Sequence, residues 1–143
     1  MRLALFDIDG TLFPGNTERL FLAYLWKKRI IGPKALLRTI WFMLKNFPKG
    51  QDYIFKKNKE YLIDLSGDVI VREAKLFFDS IIKTLVPKSS YKTIKDHQFQ
   101  GHKVILLSAA LEILVDLWKE EMETEEGIGT KVETKDGIFT GRI

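Results

Sequence analysis

Two carboxylates, Asp7 and Asp9, close the apolar run LALFDI and are followed at once by Gly10 and Thr11. Charge placed beside a hydrophobic strand is costly unless something pairs with it. An extended backbone puts alternate side chains on one side, so Asp7 and Asp9 converge. Converging carboxylates repel and need a cation. Oxygen-only donors and the absence of cysteine point to Mg²⁺, with Asp7 and Asp9 as the metal residues. Gly10 permits a tight turn or the close approach of a ligand. The plainer reading is a βα turn whose acids only cap a helix, since Asp and Gly are common turn residues. Four such positions in a row have a chance frequency of about 10⁻⁵ per start point, and an apolar strand directly upstream makes coincidence rarer still. The stretch therefore reads as a site at the carboxyl end of a strand, where ligands bind in open α/β sheets.

The bulk numbers narrow the classes. The 143 residues suit one core, or one core with a small appended lobe. A 45% hydrophobic and 29% charged composition is that of an ordinary globular chain. With no Cys and two His, disulfides, thiolate sites and histidine-rich zinc sites are excluded. The net charge of +4 favours anionic partners without selecting one. Asp7 interrupts the N-terminal apolar run too early for a signal peptide. The longest later run, Ile40 to Leu44, is too short to span a bilayer. A cytoplasmic location is expected.

The elements that must position the acids follow from apolar period and punctuation. Leu3–Ile8 reads as a strand buried on both faces. Pro14-Gly15 breaks the chain, and Asn16 or Thr17 caps a helix ending at Lys27-Lys28-Arg29. Helices are expected over about 34–46, 52–65 and 69–85, and a shorter one from Ser89 or Ser90 to Gln98. Val104–Ser108 reads as a second buried strand, followed directly by a helix from Ala109 to about Met122. The acids from Glu120 to Glu126 read as a solvated helix end, and residues 129–143 as two short strands turning at Asp136-Gly137. His97 and His102 flank a helix end and read as structural. The order implies an α/β core made of 1–14 and 86–143, with an inserted helical block at 15–85.

LALFDIDGTL resembles motif I of the haloacid dehalogenase superfamily of aspartate-nucleophile phosphatases. VILLSAA, with Ser108 closing an apolar strand, resembles its motif II, and ETKDGIFTGRI resembles the hairpin after motif II in the phosphoserine-phosphatase-like subgroup. The resemblance implies an α/β fold with a Rossmann-like parallel sheet and a helical cap over the active site. It also implies a Mg²⁺-dependent phosphatase, with Asp7 as nucleophile and Asp9 as acid and base. Mg²⁺ would bind the Asp7 side chain and the Asp9 backbone carbonyl. The loop amides at Gly10 and Thr11, the Ser108 hydroxyl and the Ala109 amide would hold phosphate oxygens, and Thr11 would order the loop.

The family pattern continues with a motif III lysine and motif IV acids beyond the TGRI hairpin, whereas this sequence stops at Ile143. Lys131 and Lys135 lie on the wrong side of that landmark. The implied sheet is therefore incomplete, with an edge of LALFDI uncovered and open to self-association. The competing reading is a truncated or non-catalytic fragment that keeps the phosphate cradle. A phosphate-accepting receiver domain also uses an acidic pocket, but receivers lack a large helical insert after the first strand. The expected partner is a small phosphorylated substrate, not nucleic acid. KALLRTIWFMLKNF is a basic amphipathic stretch that suits a lipid surface. Aromatics at helical spacing more often pack a core, and that is the expectation here.

Overall fold

The computed structural model describes the backbone of residues 1–143 and every side chain except that of Phe55. Three strands, β1 (Arg2–Asp7), β2 (His102–Leu111) and β3 (Glu126–Thr130), form a parallel sheet in the order β1-β2-β3. Between β1 and β2 run α1 (Thr17–Lys27), α2 (Pro33–Asn46), α3 (Gln51–Lys57), α4 (Gly67–Phe77), α5 (Lys83–Leu85) and α6 (Lys88–Phe99). α7 (Glu112–Met122) links β2 to β3, and a hairpin of β4 (Thr134–Lys135) and β5 (Ile138–Phe139) ends the chain. This is the α/β architecture expected.

The register of the first two strands positions the site. Arg2 lies opposite His102 and the pairing runs unbroken to Asp7 opposite Leu107. The Ile8 amide extends the ladder to the Leu107 carbonyl at 3.2 Å. Whatever follows Asp7 on one strand and Leu107 on the other must therefore meet.

The core lies between the sheet and the helices. Trp118 of α7 is fully buried, with Phe13 and Phe78 packed against its ring at 5.6 and 5.3 Å. Val104, Ile105 and Leu106 are buried, so β2 is covered on both faces as expected. β1 is not. Ala4 and Ile8 are buried and the Phe6 ring meets His97 of α6, but Leu3 and Leu5 are more than half exposed. β1 is an edge strand with one covered face, because α6 packs on only one side of it.

Four other expectations change. The helix expected over 52–65 stops at Lys57 and resumes as a 3₁₀ turn, Glu60–Leu62, because Lys59 turns inward and is fully buried. The helix expected over 69–85 contains a π turn at Phe78–Ile82, which sets the Phe78 ring edge-on to Trp118. β2 runs on to Leu111, so α7 begins at Glu112 instead of Ala109. The acidic stretch is solvated as expected at Glu120 and Glu123, around the end of α7, but its other members make structural contacts. Glu121 bonds Lys83 and Tyr91, Glu125 accepts from the Val104 amide at 3.0 Å, and Glu126 opens β3. The hairpin turns at Asp136-Gly137 as expected, with both residues at positive φ. His97 and His102 contact each other, Nδ1 to Nδ1 at 2.9 Å, at the end of the sheet away from the two acids.

β3 was hidden by its composition, EGIGT, whose glycines argue against a strand. Close approach of α7 explains them. A Cβ on Gly129 would lie 2.7 Å from the Glu112 Cα and 2.8 Å from the Val115 Cγ2. Gly129→Ala is expected to force β3 away from α7 and cost about 1–3 kcal/mol, as overpacking does. A denaturant midpoint unchanged from the native protein would show that the helix sits further off than described.

Candidate active site

Asp7 ends β1 with its side chain exposed, and Asp9 lies two residues on, half-buried. Between and beyond them the chain folds back on itself. The Gly10 amide donates to the Phe13 carbonyl at 2.7 Å, and the Thr11 and Phe13 amides donate to the Ile8 carbonyl at 3.3 and 2.9 Å. Gly10 has φ of +86°, which a side chain resists, so this turn requires glycine. The Ser90 hydroxyl of α6 ties the loop down through the Leu12 carbonyl at 2.6 Å.

The Asp9 carboxylate is the meeting point of three elements. Its Oδ1 accepts from the Thr17 amide at 2.8 Å and the Thr17 hydroxyl at 2.6 Å, at the first turn of α1. Its Oδ2 takes the Ser108 hydroxyl of β2 at 3.3 Å. Thr17 is fully buried and also accepts from the Trp118 indole at 3.2 Å, so a hydrogen-bonded line runs from α7 through α1 to Asp9. The Ser108 oxygen accepts from the Ala110 amide at 3.0 Å, which aims the hydroxyl towards Asp9.

The structure thus brings Asp7, Asp9 and Ser108 to the carboxyl ends of β1 and β2. Gly10 and Thr11 also lie there, but their amides are engaged within the loop, which departs from the expectation that they face phosphate. Ala109 is exposed beside Ser108, and its carbonyl receives the Thr130 hydroxyl at 2.8 Å. α7 begins three residues later than expected, so Ala109 belongs to the irregular end of β2 and not to a helix N-terminus. Lys131 and Lys135 are both exposed and lie beyond β3 and in β4.

A second polar group lies beside the first. Lys59 is fully buried and its ammonium reaches both Glu18 carboxylate oxygens at 2.6 Å, while the Tyr61 hydroxyl donates to Glu18 Oε1 at 2.8 Å. Burial pushes the Glu18 carboxyl above its ordinary value, against the pull of Lys59, Tyr61 and the Leu111 backbone. Burial, reinforced by the Glu18 carboxylate, holds the Tyr61 phenol well above its usual value. Because Glu18 follows Thr17 and touches Leu111, this group fixes α1 against the end of β2. Sequence reading missed Thr17 as the Asp9 partner, and missed Lys59 and Tyr61. No local signal marked Lys59, since its neighbours read as one continuous helix over 52–65.

The pattern of elements and the site agree with comparisons to known proteins. A family model for haloacid dehalogenase-like hydrolases matches residues 4–143. The chain belongs to that family. Its fold is shared with a protein of unknown function from Bordetella pertussis Tohama I, at a TM-score of 0.82 and 21% identity, covering 99% of this chain and 65% of that one. A substrate-bound phosphoserine phosphatase matches at 0.62 and 21% identity, with 99% and 61% covered. A phosphoserine phosphatase from T. onnurineus matches at 0.59 and 19% identity, with 98% and 62% covered. The chain spans less than two-thirds of each of these structures. No curated protein matches it.

Two outcomes test the polar framework of this haloacid dehalogenase-like domain. Thr17→Val removes a donor to Asp9 and the acceptor of Trp118, and is expected to cost about 1–3 kcal/mol in chemical denaturation. Lys59→Met strands the Glu18 charge and is expected to cost about 3–5 kcal/mol at neutral pH. The folded Glu18 value lies above the unfolded one, so the folded chain binds its proton more tightly and acidification favours folding across that window. Without Lys59 the window widens. The deficit of Lys59→Met relative to the native protein should shrink as pH falls from about 7 to 5. A deficit that stays constant with pH would mean that the buried charge is not its source.

Proposed function

We propose that the protein is a Mg²⁺-dependent phosphoric monoester hydrolase that works through a phosphorylated Asp7. The observation that carries this is the placement of Asp9 and Ser108 in hydrogen-bond contact at the carboxyl ends of adjacent strands, with Asp7 exposed beside them. The donors there are carboxylate, carbonyl and hydroxyl oxygens, which fit a hard cation. Mg²⁺ would be held by the Asp7 carboxylate and the Asp9 backbone carbonyl, and it supplies positive charge that offsets repulsion between the nucleophile and the phosphate dianion.

The steps for this chain's own residues follow. An Asp7 oxygen attacks phosphorus, the ester P–O bond breaks, and Asp9 gives its proton to the leaving alkoxide. Water then attacks the phosphorus of phospho-Asp7 and gives its proton to Asp9, which releases inorganic phosphate and restores the Asp7 carboxylate. Asp9 must face the leaving oxygen in the first step and the attacking water in the second, and the two Thr17 bonds to Oδ1 would hold it there while Oδ2 keeps the longer, exchangeable contact. Ser108 and the Ala109 amide receive phosphate oxygens. Residues 15–85 form a cap that selects the substrate, and 1–14 with 86–143 form the core. Phosphoserine is the first substrate to assay, because the fold is shared with phosphoserine phosphatases.

A second reading is phosphate binding without turnover. It is favoured by one observation: the chain spans less than two-thirds of the phosphatases whose fold it shares. Phosphate release from phosphoserine and from a generic aryl phosphate separates the two. The enzyme reading expects release that needs Mg²⁺, stops with chelator, and falls at least about 10³-fold in Asp7→Asn. Release that survives in Asp7→Asn overturns the mechanism. Saturable phosphate binding with no release from the native protein establishes the second reading instead.

A further inference from the structure

α2 is built inside out. The side it turns to the protein carries Ala35, Thr39 and Asn46, all nearly fully buried. Their polar groups are satisfied locally: the Thr39 hydroxyl donates to the Ala35 carbonyl, the Asn46 amide to the Phe42 carbonyl, and the Asn58 amide to the Thr39 carbonyl. The side it turns to solvent carries the large apolar residues. Leu37, Trp41 and Leu44, at helical spacing, and Phe47, in the 3₁₀ turn that follows the helix, are 67%, 69%, 65% and 73% exposed, and Leu36 and Ile40 flank them. The core packing expected for these aromatics does not occur. A contiguous apolar face of this kind on a folded chain marks a contact surface.

The charge of the segment that carries it identifies the contact. Residues 16–57 contain ten Lys and Arg against two acids, Glu18 and Asp52, a net of +8 on a chain whose total is +4. α2 itself has three cations and no acid; Arg38 is taken up by the Asp64 carboxylate and the Ile63 carbonyl, which leaves Lys34 and Lys45, both exposed, to meet an anionic surface. Trp26, 44% exposed, ends α1 beside Lys27-Lys28-Arg29 and the turn into α2. Trp, Phe and Leu on one face with Lys and Arg around it is the pattern of a helix lying in a membrane interface. No helix among the described residues is long and apolar enough to cross a membrane, so the helix would lie on the bilayer, not through it.

We propose that α2 docks the protein on an anionic lipid bilayer, its Leu37-Trp41-Leu44-Phe47 stripe entering the headgroup boundary and the surrounding cations meeting lipid phosphates. The cations draw the helix to the surface and the stripe holds it there.

Cosedimentation of the purified protein with vesicles tests this. Vesicles of phosphatidylcholine with about one-third phosphatidylglycerol should bind it, pure phosphatidylcholine should bind it weakly, and added salt should release it. Leu37→Gln with Leu44→Gln should lower partitioning at least about tenfold, and Lys34→Glu with Lys45→Glu by about tenfold or more. These are exposed positions, so circular dichroism should match the native protein. In Trp26→Phe only Trp41 and the buried Trp118 remain, and bromine-labelled acyl chains should quench the emission of Trp41. Asp7→Asn should bind vesicles as the native protein does, which keeps this test separate from that of catalysis. Absence of binding to anionic vesicles overturns the proposal, as does equal, salt-independent binding to both compositions. Dimerisation that is lost in Leu37→Gln/Leu44→Gln, or retention of duplex DNA, overturns it when vesicles are not bound.

Discussion

The carboxylate of Asp9 is the constraint on which the architecture turns. It accepts from the amide and hydroxyl of Thr17 and meets the hydroxyl of Ser108. A half-buried carboxylate is tolerated only when its oxygens are satisfied, and charge-assisted hydrogen bonds of this kind are the strong ones. One side chain therefore joins the loop after β1, the start of α1 and the end of β2, elements separated by 8 and 99 residues from it. The arrangement also holds this carboxyl group in a fixed direction at the mouth of the sheet, the pre-organisation that the proposed acid–base role would use.

Around that point the fold uses two devices to bring backbones close. Gly129 lets α7 press against β3 without a side chain between them. The hairpin joins the start of α4 through backbone bonds, as the Phe139 amide donates to the Leu65 carbonyl and the Gly67 amide to the Gly137 carbonyl, with the Phe139 ring buried in the core. An open cleft of about 320 Å³ lined by Gly67, Leu111, Glu112, Thr130, Val132 and Phe139 lies between these elements at the strand ends. The buried Glu18–Lys59 pair then fixes α1 against β2. Such pairs stabilise little by themselves, but they penalise any arrangement that separates them. Here that penalty favours the one orientation of α1 in which Thr17 reaches Asp9.

The helical block has a different logic on its outer side. α1 and α4 bury Phe21, Leu25, Ile70, Ala74 and Phe77 as amphipathic helices should. α2 reverses the rule, packing with small and polar residues and exposing large ones. The apolar exposure on β1 is different in kind. Leu3 and Leu5 lie on an edge strand with one helix-covered face, whereas α2 already has its inward side filled.

Local sequence determined a good deal. The apolar runs ending in Asp7 and Ser108 marked the two strands that carry the site. Gly10 marked the positive-φ turn, and Asp136-Gly137 marked the hairpin, because each depends on the conformational freedom of a few adjacent residues. The placement of Asp7, Asp9 and Ser108 at neighbouring strand ends was legible for the same reason, since strand ends and turns are local events. Tertiary structure decided the rest. β3 exists because α7 needs glycines against it, although glycines argue against a strand. Lys59 leaves a helical pattern because Glu18, 41 residues away, holds its charge. Which face of α2 turns inward was set by the small, self-satisfied stripe that fits its neighbours, not by the hydrophobicity that a period count reads. In each case a partner distant in the chain outweighs the local preference, and the residue's own neighbourhood has no record of it.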